Sequence, residues 1–272
     1  MFTWLHTFHP QPILWSAGPI TIHWYGLFMV VSMLVALTIT FYLNRLYQIN
    51  KDQLFDLGFW LIIWGLVGAR LYDVCLQLPY YLQHPWQILA VWQGGLAIHG
   101  GIIAGILVLI YFAYRHQLNF WRLSSVLVPG VALAQTIGRW GNYFNQEIFG
   151  FPSNLPWSIP IDLINRPAAY ANITYFQPTF LYESLGCLII GLILVASNLL
   201  AKKHQKLNTS FYIGSTTLYV ILYSILRFYL EFIRLDDTPQ LAGLRWPQIM
   251  SLILILLTGL ILFKQHVYRQ KN

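Results

Sequence analysis

Charge is what this sequence has least of. Of its 272 residues only 9% are Asp, Glu, Lys or Arg, whereas 57% are hydrophobic. A soluble domain carries about 25% charged residues. The chain therefore lacks the polar surface that a water-facing globule needs, and it reads as a polytopic membrane protein. Cysteine is scarce too, with Cys75 and Cys187 each inside an apolar run. That placement predicts core packing rather than a disulfide or a metal pair. Neither Cys-x-x-Cys nor His-Glu-x-x-His spacing occurs, so no metal and no cofactor is expected. No Lys or Arg precedes Arg45, so the basic leader of a cleavable signal is missing and the first apolar run is expected to stay. The net charge of +7 is not gathered into a basic stripe, which turns the reading away from nucleic acid. No internal repeat of useful length is visible, which weakens an inverted-repeat transporter reading.

What is present is apolar length. Spanning ~30 Å of hydrocarbon takes about 20 helical residues. Seven segments are expected to do so, near 20–43, 56–78, 95–114, 122–140, 179–201, 211–231 and 247–265. The fourth is the weakest, because Pro129 and Gly130 interrupt it. The expectation is an all-α protein of seven transmembrane helices forming one catalytic domain over 1–272. Residues 141–178 should form a small extracytoplasmic cap within it. A short interfacial helix is expected after Pro85.

Basic residues set the orientation. With the N-terminus outside, Arg45, Lys51, Arg115, Arg122, Lys202, Lys203, Lys206, Lys264, Arg269 and Lys271 fall on the cytoplasmic side, 10 of 16. The other six are all arginine: Arg70, Arg139, Arg166, Arg227, Arg234 and Arg245. Only Asp52 and Asp56 of nine acids share the cytoplasmic side. An odd number of spans, N-out and C-in, follows.

An ionisable group inside hydrocarbon costs at least ~2.5–3.5 kcal/mol on insertion scales and normally faces a bundle interior or a cavity. Arg70, His99, Arg139, Glu183, Arg227 and Glu231 all lie toward the expected outer ends of spans two to six. Arg227 and Glu231, four apart, share a helical face, and Asp73 follows Arg70 by three. These pairs fit structural ion pairing as well as function. His99 sits among Gly94, Gly95, Gly100 and Gly101 in "GGLAIHGG", where a ligand or backbone can come close. An unperturbed imidazole, with its pKa of ~6.5, suits proton transfer. Arg139 and Asn142 share a face three apart, and an Arg fork matches phosphate oxygens. The residues alone therefore describe an outer cavity for an anionic headgroup, and an anion transporter fits nearly as well. A metal-dependent phosphotransferase or an intramembrane protease would need Asp clusters or a Ser–His pair within spans, and neither arrangement is found.

The stretch "GRWGNYFNQEIFG", Gly138–Gly150, resembles the signature of the prolipoprotein diacylglyceryl transferases: Gly-Arg-x-Gly-Asn-(Phe/Tyr)-x-Asn-x-Glu-x-x-Gly. Every fixed position is met. "HWYG" at 23–26, "GGLAIHGG" at 94–101, "QPTFLYE" at 177–183 and "RFYLEFIR" at 227–234 agree in order, so the resemblance spans nearly the whole chain. Phe180 departs from it, since the family often has Gln there. The resemblance implies a seven-span enzyme of the bacterial inner membrane with its active site toward the outer side. Its donor would be phosphatidylglycerol and its acceptor the lipobox cysteine of a prolipoprotein signal peptide, with glycerol phosphate released. It carries catalytic roles onto Tyr25, His99, Arg139 and Arg227. The substrate-binding candidates are Arg139, Asn142, Asn145, Glu147, Gly150, Glu183, Glu231 and Arg234. In this scheme His99 is the base, assisted by Tyr25. Arg139 and Arg227 hold the phosphate, Asn142 and Glu147 bind the glycerol hydroxyls, and Glu231 orients Arg227.

Overall fold

A computed structural model describes residues 3–18 and 20–271. Seven of its helices are long and apolar enough to cross a membrane: α2 (Trp24–Tyr47), α3 (Lys51–Leu76), α5 (Ile98–Arg115), α6 (Phe120–Phe144), α7 (Thr179–Lys203), α8 (Thr209–Leu230) and α9 (Trp246–Lys271). The short elements among the described residues are α1 (Thr3–Thr7), α4 (Leu78–Gln83), four 3-10 turns and three two-stranded antiparallel pairs. These pairs are β1 (Ile13–Ala17) with β2 (Ile20–His23), β3 (Ile159–Pro160) with β4 (Tyr175–Phe176), and β5 (Gln240–Leu241) with β6 (Leu244–Arg245). The chain clusters into two compact units, one of Asn44–Val126 and one of Met1–Leu43 with Leu127–Asn272.

In the smaller unit α3 and α5 meet through glycine. A Cβ on Gly100 would fall on the Gly68 carbonyl oxygen, one on Gly68 would meet Ala104, and one on Gly101 would come 3.3 Å from the Gly65 carbonyl. In lipid no hydrophobic force drives two helices together, so close backbone approach and dispersion do the work. Asn44 turns the chain from α2 into α3. Its Nδ2 donates to the Ile49 carbonyl at 2.8 Å, and its Oδ1 accepts from the Ile49 N–H at 3.0 Å. Asn50 then caps α3, its Oδ1 accepting from the Asp52 N–H at 2.8 Å.

In the larger unit the helix seams again run through small residues. A Cβ on Gly191 would lie 2.6 Å from Leu133, and one on Gly130 would lie 2.6 Å from the Ala36 carbonyl. Pro129 and Gly130 were expected to weaken the fourth span, yet α6 continues through both. The glycine lets α2 approach closely beside the turn that proline perturbs. Above α6 and α7 an aromatic cluster closes the unit. Leu5, Tyr143, Phe149, Ile159, Ile161, Phe176, Phe180 and Leu181 are all buried there. Phe180 stacks on Tyr143 at 4.6 Å and meets Trp140 edge-on at 5.3 Å. The departure from the family pattern thus feeds this cluster.

Three expectations need correction. The first span begins at Trp24, because residues 20–23 pair as β2. The short helix comes before Pro85, as α4, and only 3-10 turns follow that proline. Cys187 is buried as expected, but Cys75 is exposed on α3.

Candidate active site

The last turns of α6 carry a short polar chain. Arg139 Nη1 donates to Asn142 Oδ1 at 3.1 Å, and Asn142 Nδ2 donates to Glu147 Oε1 at 2.7 Å. The helix can bring these groups together because Arg139 and Asn142 are three apart. Glu147 lies past the helix end and returns through its own N–H, which donates to the Asn142 carbonyl at 3.0 Å. That return needs left-handed backbone at Gln146 (φ 51°) and Ile148 (φ 57°). Buried Gln146 holds the turn from both ends of its amide. Nε2 donates to the Pro10 carbonyl at 2.9 Å and to Asp162 Oδ2 at 2.7 Å, while Oε1 accepts from the Asp162 N–H at 2.6 Å. Asn145 is half-buried in the same bend, its N–H donating to the Gly141 carbonyl at 3.0 Å. Gly141 is required for close approach, because a Cβ there would sit 2.8 Å from the Tyr25 ring.

Glu183, in the first turns of α7, is the hub. It is 2% exposed, and its carboxylate faces three guanidiniums: Arg139 at 2.7 Å, Arg227 at 3.7 Å and Arg234 at 3.8 Å. Tyr223 donates its hydroxyl to Glu183 Oε1 at 3.0 Å and accepts from Arg139 Nη2 at 3.3 Å. A second carboxylate, Glu231, pairs with Arg227 at 2.8 Å and with Arg245 at 3.1 Å. Arg234 also meets Asp236 at 2.9 Å. Burial pushes the Asp236 carboxyl up, but Arg234 and Arg245 outweigh it and hold the group below the usual Asp range. Arg245 secures the hairpin by donating to the Arg234 and Asp236 carbonyls and to Thr238 Oγ1, the last at 2.7 Å. Gly150 bridges to Arg234 in antiparallel fashion, and a Cβ on it would lie 2.6 Å from the Ile233 carbonyl.

Four guanidiniums against three carboxylates leave this network one positive charge in excess. Glu147, exposed at the rim, joins only through Asn142. Arg227 Nη1 is buried without a hydrogen-bond partner among the described residues. The Arg139 side chain keeps 24% of its surface open, against 2% for Glu183 beneath it. An anion reaching Arg139 therefore meets preorganised donors in a site that already excludes much water. Among the described residues no group of His, Cys, Asp and Glu is arranged to hold a metal ion.

Sequence reasoning expected six ionisable residues to converge. Four of them, Arg139, Glu183, Arg227 and Glu231, do meet in this network. Arg70 and His99 belong to the smaller unit. His99 is the second residue of α5, exposed, with its ring 6.0 Å from that of Tyr72. Tyr223, Asp236, Arg245 and Gln146 were not expected as site residues, although Arg245 counted among the six outer arginines and Gln146 lies within the signature stretch. Tyr223 carries a signal in retrospect, lying one turn before Arg227 on the same helical face.

A family model described as prolipoprotein diacylglyceryl transferase matches residues 12–264. A protein of Trichormus variabilis named phosphatidylglycerol–prolipoprotein diacylglyceryl transferase is 42% identical over 246 residues, which is 89% of this chain and 85% of that one. The same name belongs to a Nostoc protein, 42% identical over 246 residues with the same coverage. It also belongs to a Synechocystis protein, 41% identical over 249 residues, 91% of this chain and 87% of that one. With a family model matched from residue 12 to 264 and relatives this similar along most of its length, the chain belongs to the prolipoprotein diacylglyceryl transferase family.

Proposed function

We propose that the protein moves the sn-1,2-diacylglyceryl group of phosphatidylglycerol onto the lipobox cysteine thiol of a prolipoprotein. This is the first step of lipoprotein maturation. The observation that carries the reading is the surplus positive charge around Glu183, with Arg139 partly open and Arg227 Nη1 making no hydrogen bond beyond its 3.7 Å ion pair with Glu183. A phosphodiester brings one negative charge and matches the guanidinium fork.

In the reaction the thiolate attacks the glyceryl carbon and the carbon–oxygen bond to phosphate breaks. A thioether forms and glycerol phosphate leaves with the bonding electron pair. Charge builds on the departing phosphate, and Arg139 and Arg227 stabilise it. Glu183, Glu231 and Tyr223 hold those guanidiniums in place; Arg234 completes the cluster. Asn142, Asn145 and Glu147 meet the glycerol hydroxyls, and Gly150 keeps the strand beside Arg234 close. His99, with Tyr25, takes the thiol proton, because a thiol of pKa ~8.5 is mostly protonated near pH 7. No cofactor enters.

The enzyme is read as a single domain in the bacterial inner membrane, N-out, with the 141–178 cap and the active site on the outer face. Support for this comes from where the basic residues outside the arginine network stand on the spanning helices. Arg45 ends α2, Lys51 opens α3, Arg115 ends α5, and Lys202 and Lys203 end α7. The test incubates purified protein with phosphatidylglycerol and a lipobox peptide. Mass spectrometry is expected to find a diacylglyceryl adduct on the cysteine and none on a Cys→Ser peptide. An unmodified thiol at full enzyme loading rejects the reading.

A further inference from the structure

Arg70 sits 6% exposed in the interior of the smaller unit, and every one of its donors is occupied. Nε donates to the Ile88 carbonyl at 3.0 Å. Nη1 donates to the Gly94 and Gly95 carbonyls at 2.6 and 2.8 Å. Nη2 donates to the Gln87 carbonyl and, at 3.3 Å, to that of Ala90. A guanidinium has five N–H groups, and these five carbonyls take them all. No donor remains for a substrate phosphate. The charge is balanced from behind by Asp73 at 4.0 Å. Tyr81 donates its hydroxyl to Asp73 Oδ2 at 2.7 Å, and its ring lies 5.1 Å from the Arg70 guanidinium carbon. The hydrogen bond from Tyr81 to Asp73 holds that phenol proton above the ordinary tyrosine range, so the clasp keeps its proton.

The carbonyls held this way belong to the irregular segment that feeds α5. Gly94 and Gly95 are both left-handed, at φ 89° and 69°. A Cβ on Gly95 would collide with the Arg70 guanidinium, Asp73 Oδ2 (2.7 Å) and the Tyr81 hydroxyl (2.8 Å). Two residues later the Ala97 N–H donates to the Ala69 carbonyl at 3.0 Å, and Ala97 supplies no side-chain cap to α5. The entry of α5 is therefore set by Arg70 and its neighbour Ala69. His99 follows in that first turn.

We propose that Arg70 is a positioning residue for His99: with Asp73 and Tyr81 it clasps the 87–95 backbone and so fixes where the His99 imidazole starts. The proposal rests on the base role assigned to His99 above. A misplacement of about 1 Å at a reacting group can cost ~100-fold in rate, so the clasp acts on turnover rather than on lipid binding.

Steady-state transfer is measured for Arg70→Ala, Arg70→Lys and Tyr81→Phe, each alone and in a His99→Gln background. Arg70→Ala is expected to lower kcat roughly 10–100-fold with KM for phosphatidylglycerol within about twofold. Lysine, with three donors, should restore part of it. Tyr81→Phe, which removes one hydroxyl and leaves the fold intact, should cost about 2–5-fold in kcat. In the His99→Gln background each change should add less than about twofold, because groups that act through one another are not additive. Amide exchange should quicken over 94–101 while α3 stays protected. The proposal is overturned if folded Tyr81→Phe and Arg70→Lys keep wild-type kcat, or if their losses multiply in full on His99→Gln. Wild-type turnover by His99→Gln itself removes the base role and the proposal with it. Loss in His99→Gln beside unchanged Arg70 and Tyr81 variants removes the proposal alone.

Discussion

Glu183 and Arg139 make the sharpest pair of substitutions at the residue scale. Glu183 is buried against Arg139, Arg227 and Arg234, so Glu183→Ala leaves three guanidiniums without their common anion. Breaking a buried pair this way costs about 3–5 kcal/mol, read as a lowered melting temperature in detergent. Glu183→Gln keeps the shape and should spare much of that stability while transfer falls at least ~10-fold. Equal activity in Glu183→Gln and wild type would mean the carboxylate charge is idle. Arg139→Lys keeps a charge but loses the planar fork that reaches Glu183, Tyr223 and Asn142 together. It should lower kcat/KM by about 100-fold or more, the range for losing one preorganised donor, in the purified transfer assay. Arg139 and Glu183 were legible in the sequence because charge inside an apolar run stands out. Arg245 and Asp236 were not. They sit in a polar connection where charge is ordinary, and only the β5–β6 hairpin turns them back onto Glu231 and Arg234.

At the scale of elements, the seven spans were readable from apolar length alone, since lipid demands one continuous helix per crossing. The hairpins and 3-10 turns between them were not. Their strands are two to five residues long, too short for any periodicity to register. The bend after α6 is held by Gln146, which reaches Pro10 and the Asp162 backbone from one side chain. Gln146→Ala removes these bonds and leaves buried partners unsatisfied, costing about 1–3 kcal/mol. It should also raise KM for phosphatidylglycerol several-fold, because Asn145 and Glu147 flank it on the same bend. An unchanged melting temperature in that variant would show that the bend is held by the aromatic cluster alone.

The whole molecule is governed by its uneven charge. Lys and Arg outside the arginine network stand at the end of α2, the start of α3, the end of α5, the start of α6 and the end of α7, whereas Arg139 and Arg227 lie in the last turns of α6 and α8. A protein with N-out orientation should expose the cap and hide the α7–α8 turn. In a Cys75→Ser, Cys187→Ala background, Ala168→Cys should react with an impermeant maleimide on intact spheroplasts. Gln205→Cys should react only after permeabilisation. The reverse pattern would invert the topology and place the arginine network on the cytoplasmic side.

The central claim is that the guanidiniums around Glu183 receive a phosphate that leaves from carbon. It is tested most directly with phosphatidylglycerol carrying ¹⁸O in the oxygen that joins diacylglycerol to phosphorus. Attack of the cysteine on carbon sends the label out with glycerol phosphate and leaves none on the peptide adduct, as mass spectrometry of both products should show. Label released in free diacylglycerol, with phosphoglycerol left on the peptide thiol, would mean that the phosphorus–oxygen bond had broken instead, and would contradict the account.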